Sequence, residues 1–304
     1  MDDAREKKGE ESGPIRVPGR LLPFDRNLIA YLIGLSLLAA LFAERVRNGW
    51  LCWGVSLAAV AAVMWAVPWL DRRSGRVLRF IRFGYLIAAL PLLYWYTGTF
   101  IHLAFPQEMD PLIIGLEQRL FGGLPNLWMQ AWAHPLATEL MQIAYAVYWV
   151  TIPLGFGLLY FGGDGRLCGI LLEAITWVFF CCFALFILFP VAGPRFYQAD
   201  QIHAVYEGLA VGTWLRGFVH AAAFRGGAFP SLHVAAALLI LVFMWRHRRR
   251  AAMFFFLPAT VAFCVATLYG QYHYLTDVVA GGLVGAAAGF FALRKAAAVP
   301  DGRD

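Results

Sequence analysis

The chain has 304 residues, of which 61% are hydrophobic, 16% aromatic and 14% charged, with a formal net charge of +6 and a mean hydropathy of +0.63. That is too apolar and too sparsely charged for an ordinary aqueous domain, and it defines an integral membrane protein. The five cysteines, Cys52, Cys168, Cys181, Cys182 and Cys264, all fall inside apolar runs, a pattern of small packing residues rather than a disulfide framework or a paired-cysteine zinc site.

Residues 1–26 mix acids and bases with Gly and Pro. They have no apolar stretch of the kind a cleaved signal peptide needs, so they read as a disordered cytosolic tail. Eight apolar runs follow, at about 27–44, 50–70, 79–100, 137–161, 168–190, 230–245, 251–270 and 273–293. Each is long enough, or nearly so, for a hydrocarbon layer that takes roughly 20 helical residues. The expected fold is all-α and polytopic, with about eight transmembrane helices. Two extra helices occupy 27–78, a six-helix core 79–294, and a second cytosolic tail 295–304.

Orientation follows from the basic residues, because cytoplasmic loops carry the excess of Lys and Arg. With the N-terminus inside, 19 of the 25 fall on inner segments and 6 on outer ones. The alternating map thus places both termini in the cytoplasm, and the segments before Pro230 and His273 face the periplasm, exterior or lumen. Arg246, Arg248, Arg249 and Arg250 serve that topology and contact lipid phosphates; they are not a nucleic-acid site.

Two outer segments are long. In 101–136, apolar Leu112, Ile113, Ile114, Leu116, Leu120 and Phe121 alternate with Asp110, Glu117, Gln118 and Arg119, which predicts helices lying in the interface at 108–134. Asp110, Glu117 and Arg119 read first as the solvated face of such a helix. Asp110 and Glu117 are also candidate headgroup contacts. The segment 191–229 opens with Gly193-Pro194-Arg195 and closes with Arg225-Gly226-Gly227, and reads as a lid or collar.

The chemistry sits in two stretches, Phe229-Pro230-Ser231-Leu232-His233 and Tyr272-His273-Tyr274-Leu275-Thr276-Asp277. Each puts a histidine at the mouth of an apolar run. Pro230 suits the first turn of a helix starting near Ser231, whose free N–H groups would attract an anion. On a helix, His273 and Asp277 would stack on one face about 6 Å apart. The carboxylate can then hold Nδ1–H and leave Nε2 as a nucleophile. Gly281, Gly285 and Gly289 continue that stripe and let a neighbouring helix come close; Ala235, Ala236 and Ala237 mark the neighbour as the one carrying His233. Taken singly, a histidine near a helix end is an interfacial residue, and His102, His134, His203 and His220 are read so.

The set Gly193-Pro194-Arg195, Pro230-Ser231-Leu232-His233 and His273-Tyr274-Leu275-Thr276-Asp277 resembles the membrane branch of the type 2 phosphatidic acid phosphatase and haloperoxidase superfamily. Within it, the Asp110–Pro125 segment is most similar to the inositol phosphorylceramide synthase and sphingomyelin synthase subgroup. The resemblance covers roughly 79–293. It implies His233 as general acid then base, His273 as nucleophile through a phosphohistidine, and Asp277 as its orienter. Arg195, Ser231 and Arg225 are then the phosphate-binding candidates, and neither metal nor other cofactor is implied. The sequence departs from the phosphatases of that superfamily at Leu188 and Thr267, where they carry cations, and at Leu232, where they carry glycine. A phosphate monoester bears about −1.5 to −2 charges at neutral pH and a diester one, so two missing cations favour a diester. The expected activity is transfer of a phosphorylated headgroup from a phospholipid donor to a lipid alcohol. The alternative is a lipid or polyprenyl phosphate phosphatase using water as acceptor. A channel with a histidine proton relay ranks last, because the ionisable groups cluster at one surface. A neutral His273 nucleophile and a protonated His233 acid together predict a bell-shaped pH profile.

Overall fold

The computed structural model describes residues 20–73 and 75–298. Residues 1–19 and 299–304 of the two expected tails lie outside that range. The first helix, α1 (Pro23–Leu41), begins earlier than the tail expectation allowed, because Pro23 sits in its first turn and Asp25 accepts a hydrogen bond from the Leu22 N–H at 2.7 Å. It is followed by α2 (Gly49–Asp71), α3 (Arg76–Gly98), the short outer helices α4 (Asp110–Phe121) and α5 (Pro125–Trp128), then α6 (Pro135–Ala146), α7 (Tyr148–Tyr160) and α8 (Gly165–Leu188). The second outer segment holds α9 (Pro194–Tyr197) and α10 (Ala210–Ala222). The chain ends with α11 (Leu232–His247), α12 (Arg249–Ala251), α13 (Leu257–Tyr269) and α14 (Leu275–Ala298).

Seven helical stretches are long and apolar enough to cross a membrane: α1, α2, α3, α6 with α7, α8, α12 through α13, and α14. The eighth expected span, α11, is apolar but shorter, at 16 residues. The described residues thus form an all-α polytopic membrane fold, with no strand beyond one isolated bridge between Val191 and Gly227. The run expected at 137–161 is two helices, α6 and α7, meeting around Val147.

The core is built round α8, whose Cys168, Leu171, Leu172, Ile175, Cys182, Phe183 and Phe186 are wholly buried. Against it pack α1, α3, α7, α11 and α14. The closest pairing in the molecule is α11 on α14, as the small-residue stripe predicts. A Cβ at Gly281 would meet the Ser231 carbonyl, and one at Gly285 the Ala235 backbone. Ala235 of α11 faces this seam, and Ala235, Ala236 and Ala237 are all buried.

The two N-terminal helices are tied into this core by polar bonds. Arg82 of α3, 3% exposed, holds Asp25 of α1 at 2.6 Å and Asp71 of α2 at 3.0 Å, and the Tyr85 hydroxyl donates to Asp25. Asn27 of α1 donates to Thr176 of α8 at 2.8 Å. Buried charge of this kind is tolerated because it is paired and hydrogen-bonded. On the same side, Arg248, expected against lipid phosphates, instead pairs with Asp164.

Candidate active site

Three chain segments converge above the α11–α14 seam. Pro230 falls outside the helix it was expected to start: Ser231 is the N-cap of α11, Leu232 its first residue and His233 its second. The Ser231 N–H donates to the Asp277 carbonyl at 3.0 Å. Its hydroxyl is buried and has no hydrogen-bond partner.

His273 is likewise not on a helix. It lies in the link between α13 and α14, and Asp277 sits in the first turn of α14. The pairing expected from a helical stripe arises instead from a helix entry. Asp277 Oδ2 accepts the Tyr274 N–H at 2.9 Å and lies 3.3 Å from His273 Nδ1. Asp277 is wholly buried, and Oδ1 has no partner. Fixing Nδ1 in this way leaves the Nε2 lone pair available.

His233, His273 and Arg195 line one cavity of about 80 Å³ with Tyr94, Tyr145 and Tyr272. The His233 ring stands edge-on to Tyr148, with centroids 4.5 Å apart. Arg195 lies over the rings of Phe196 and Tyr272, at 4.8 and 5.0 Å. Its Nε and Nη1 are buried without a hydrogen-bond partner. Burial, then His233, then Arg195 disfavour the protonated form of His273 and push its pKa down to about 3, against a smaller opposing pull from a backbone hydrogen bond with Ala228. His273 is therefore neutral across the physiological range. A neutral imidazole beside an unsatisfied guanidinium can attack an anionic phosphorus centre and hold its oxygens.

Arg225 was expected at the phosphate. It lies half exposed, outside the cavity lining, and its guanidinium is bound at 2.8 Å to both oxygens of Glu108.

Asp110 and Glu117 are a larger correction. Both are wholly buried rather than a solvated face. Asp110 accepts the N–H groups of Ala192 and Gly193 at 2.7 and 2.9 Å and the Tyr274 hydroxyl at 3.0 Å. Glu117 accepts the Thr276 N–H at 2.6 Å, at the start of α14. Burial pushes both carboxyls up, and these hydrogen bonds pull them back. The helix α4 is thus a clamp. Asp110 fixes the segment leading to Arg195 and the loop carrying His273, and Glu117 caps the helix that carries Asp277.

Gln271 belongs to no sequence motif, yet it is a hydrogen-bonding hub beside the site. Its carbonyl accepts the Arg195 N–H at 3.0 Å, while its side-chain amide exchanges hydrogen bonds with Asn126 at 2.9 and 2.6 Å. A lone glutamine in a loop carries no sequence signal for such a hub. Its neighbour Gly270 and its own φ of 60° mark a tight turn only once the backbone is known. Of the other histidines, His134 caps α6 through Leu136 N–H, and His203 and His220 remain exposed.

The family model of the PAP2 superfamily matches residues 112–291. The chain belongs to that superfamily. A PA-phosphatase related-family protein of Dictyostelium discoideum is 30% identical over 112 residues, which are 34% of this chain and 20% of that protein. The chain therefore spans about a fifth of that relative's length. No solved structure matches it.

Proposed function

We propose that the protein transfers a phosphorylated headgroup from a phospholipid to a lipid alcohol, through a phosphohistidine at His273, on the extracytoplasmic side of the membrane. The observation that carries the reading is the composition of the cavity: among the described residues that line it, Arg195 is the single arginine or lysine. Leu188 is an exposed side chain on α8, Leu232 is buried, and the Thr267 hydroxyl is spent on the Cys264 carbonyl at 2.7 Å. One guanidinium suits the single charge of a diester better than a monoester dianion. The similarity of the Asp110–Pro125 segment to inositol phosphorylceramide and sphingomyelin synthases points the same way.

In the first step His273 Nε2 attacks phosphorus and the bond to the lipid's glycerol oxygen breaks. His233 gives its proton to that departing oxygen, and Arg195 holds the non-bridging oxygens. In the second, the acceptor hydroxyl passes its proton to His233 as its oxygen attacks phosphorus, and the P–N bond breaks. Asp277 orients His273 and stabilises its cationic stage. Tyr94, Trp149, Val219 and Phe224 give the cavity apolar walls against which the acceptor's chain can lie.

Purified protein supplied with a labelled phospholipid and a lipid alcohol should yield a labelled phosphodiester lipid. A lipid monophosphate should release little phosphate. Phosphate release from the monophosphate, with no transfer from the phospholipid, would make the protein a phosphatase instead.

A further inference from the structure

The tyrosines that line the catalytic cavity, Tyr94, Tyr145 and Tyr272, are not equivalent. The Tyr272 hydroxyl is spent, since it donates to Gln142 at 2.8 Å. Those of Tyr94 and Tyr145 have no hydrogen-bond partner among the described residues, and they are not sealed inside protein as the Ser231 hydroxyl is. Arg195 acts electrostatically on both, and Tyr94 acts on Tyr145. The two hydroxyls and the guanidinium therefore stand around one space, the cavity that all three residues line.

Packing alone does not call for these hydroxyls. Tyr94, near the C-terminal end of α3, stacks on Phe224 with centroids 4.3 Å apart. Tyr145 of α6 packs on Tyr272 at 4.5 Å and on Phe263 at 5.2 Å, and its ring lies 6.1 Å from that of His233. Phenylalanine would make the same ring contacts. A phenol that faces a small, poorly solvated space is costly until a partner meets it, and buried tyrosines ordinarily have one. The unpartnered Nε and Nη1 of Arg195 point to the same missing partner.

We infer that Tyr94 and Tyr145 are catalytic residues: their hydroxyls donate to the phosphoryl oxygens beside Arg195, as the uncharged donors of a cradle that has one guanidinium. This deepens the proposed function and rests on its reading of the cavity as a phosphoryl site. Negative charge gathers on the oxygens around phosphorus as His273 attacks, and donors already aimed there stabilise that stage without reorganising. The phenols keep their protons; His233 remains the acid and then the base, so both steps balance as before. Being neutral, they add hydrogen bonds without the further positive charge that a monoester dianion calls for.

The test is the binding of orthovanadate, which accepts five ligands as phosphorus does in the transition state, to the purified protein in detergent micelles. The unaltered protein should bind it, and His273→Ala should bind it far more weakly. Tyr145→Phe and Tyr94→Phe, each of which removes one oxygen, should weaken binding about tenfold, the scale of one charge-assisted hydrogen bond, with thermal melts unchanged. In turnover each should lower kcat and leave KM near its original value, because a donor that acts in the transition state shows in kcat and a wall residue in KM. Should Tyr145→Phe fail to fold, Tyr94→Phe, on another helix, reads the same set of donors. Undiminished vanadate affinity in both phenylalanine variants, or a change confined to KM, would overturn the assignment. No vanadate binding by the unaltered protein would overturn it together with the phosphoryl reading of the cavity. Weakened binding in the phenylalanine variants, in a protein that releases phosphate from a lipid monophosphate and transfers nothing to an alcohol, would sink the transfer reading and leave the two donors standing.

Discussion

At His273 burial, then His233, then Arg195 oppose protonation, and a backbone hydrogen bond with Ala228 favours it more weakly. The folded value, about 3, lies below the ordinary 6.5, so the neutral nucleophile persists as pH falls until well below the usual histidine range. The bell expected from two ordinary histidines should therefore be lopsided. We expect kcat/KM, which reports the free enzyme, to hold level from pH 7 down to about pH 5; a half-loss near pH 6.5 would show that His273 titrates normally. The pair His273 and Asp277 was legible from its spacing even though the helix assumed for it begins two residues later, because an acidic residue in the first turn reaches back to the residues before the cap. Gln271 was not legible. A glutamine in a loop looks the same whether it faces solvent or a site.

Among the elements, α4 and the α11–α14 seam do the positioning. The seam was readable as glycines at four-residue spacing beside a run of alanines, since small residues have few other reasons to recur on a face. The clamp role of α4 was not, because Asp110 and Glu117 on an apolar repeat match the pattern of a solvated helix face. Only the fold reveals that this face meets backbone N–H groups. The seam offers a paired test. A Cβ at Gly285 would strike the Ala235 backbone, whereas at Gly282 its nearest neighbour is a Leu238 methyl at 3.7 Å. Gly285→Ala should cost about 1–3 kcal/mol of stability and reduce activity by displacing His233 against Asp277. Gly282→Ala should do neither, and equal effects in thermal melts and turnover would mean the seam does not set the site.

Over the whole molecule, hydropathy located the eight apolar runs because each must bury its backbone within a helix of fixed length. It could not show that α1 and α2 are bolted to the core through Arg82, Asp25 and Asp71, since charges in a short connection read as a topology signal. The proposed orientation has its own test. A cysteine at the exposed position His203 should react with a membrane-impermeant maleimide on intact cells, and one at the exposed Arg250 only after lysis. The reverse pattern would put the site in the cytoplasm. The most direct measurement of the central claim is to quench the enzyme during turnover of a phospholipid labelled in its headgroup phosphate and map the label on the chain. We expect an acid-labile, alkali-stable adduct on His273, absent from His273→Ala and discharged by added lipid alcohol. Unlabelled protein that still turns over, or a label that survives His273→Ala, would contradict it.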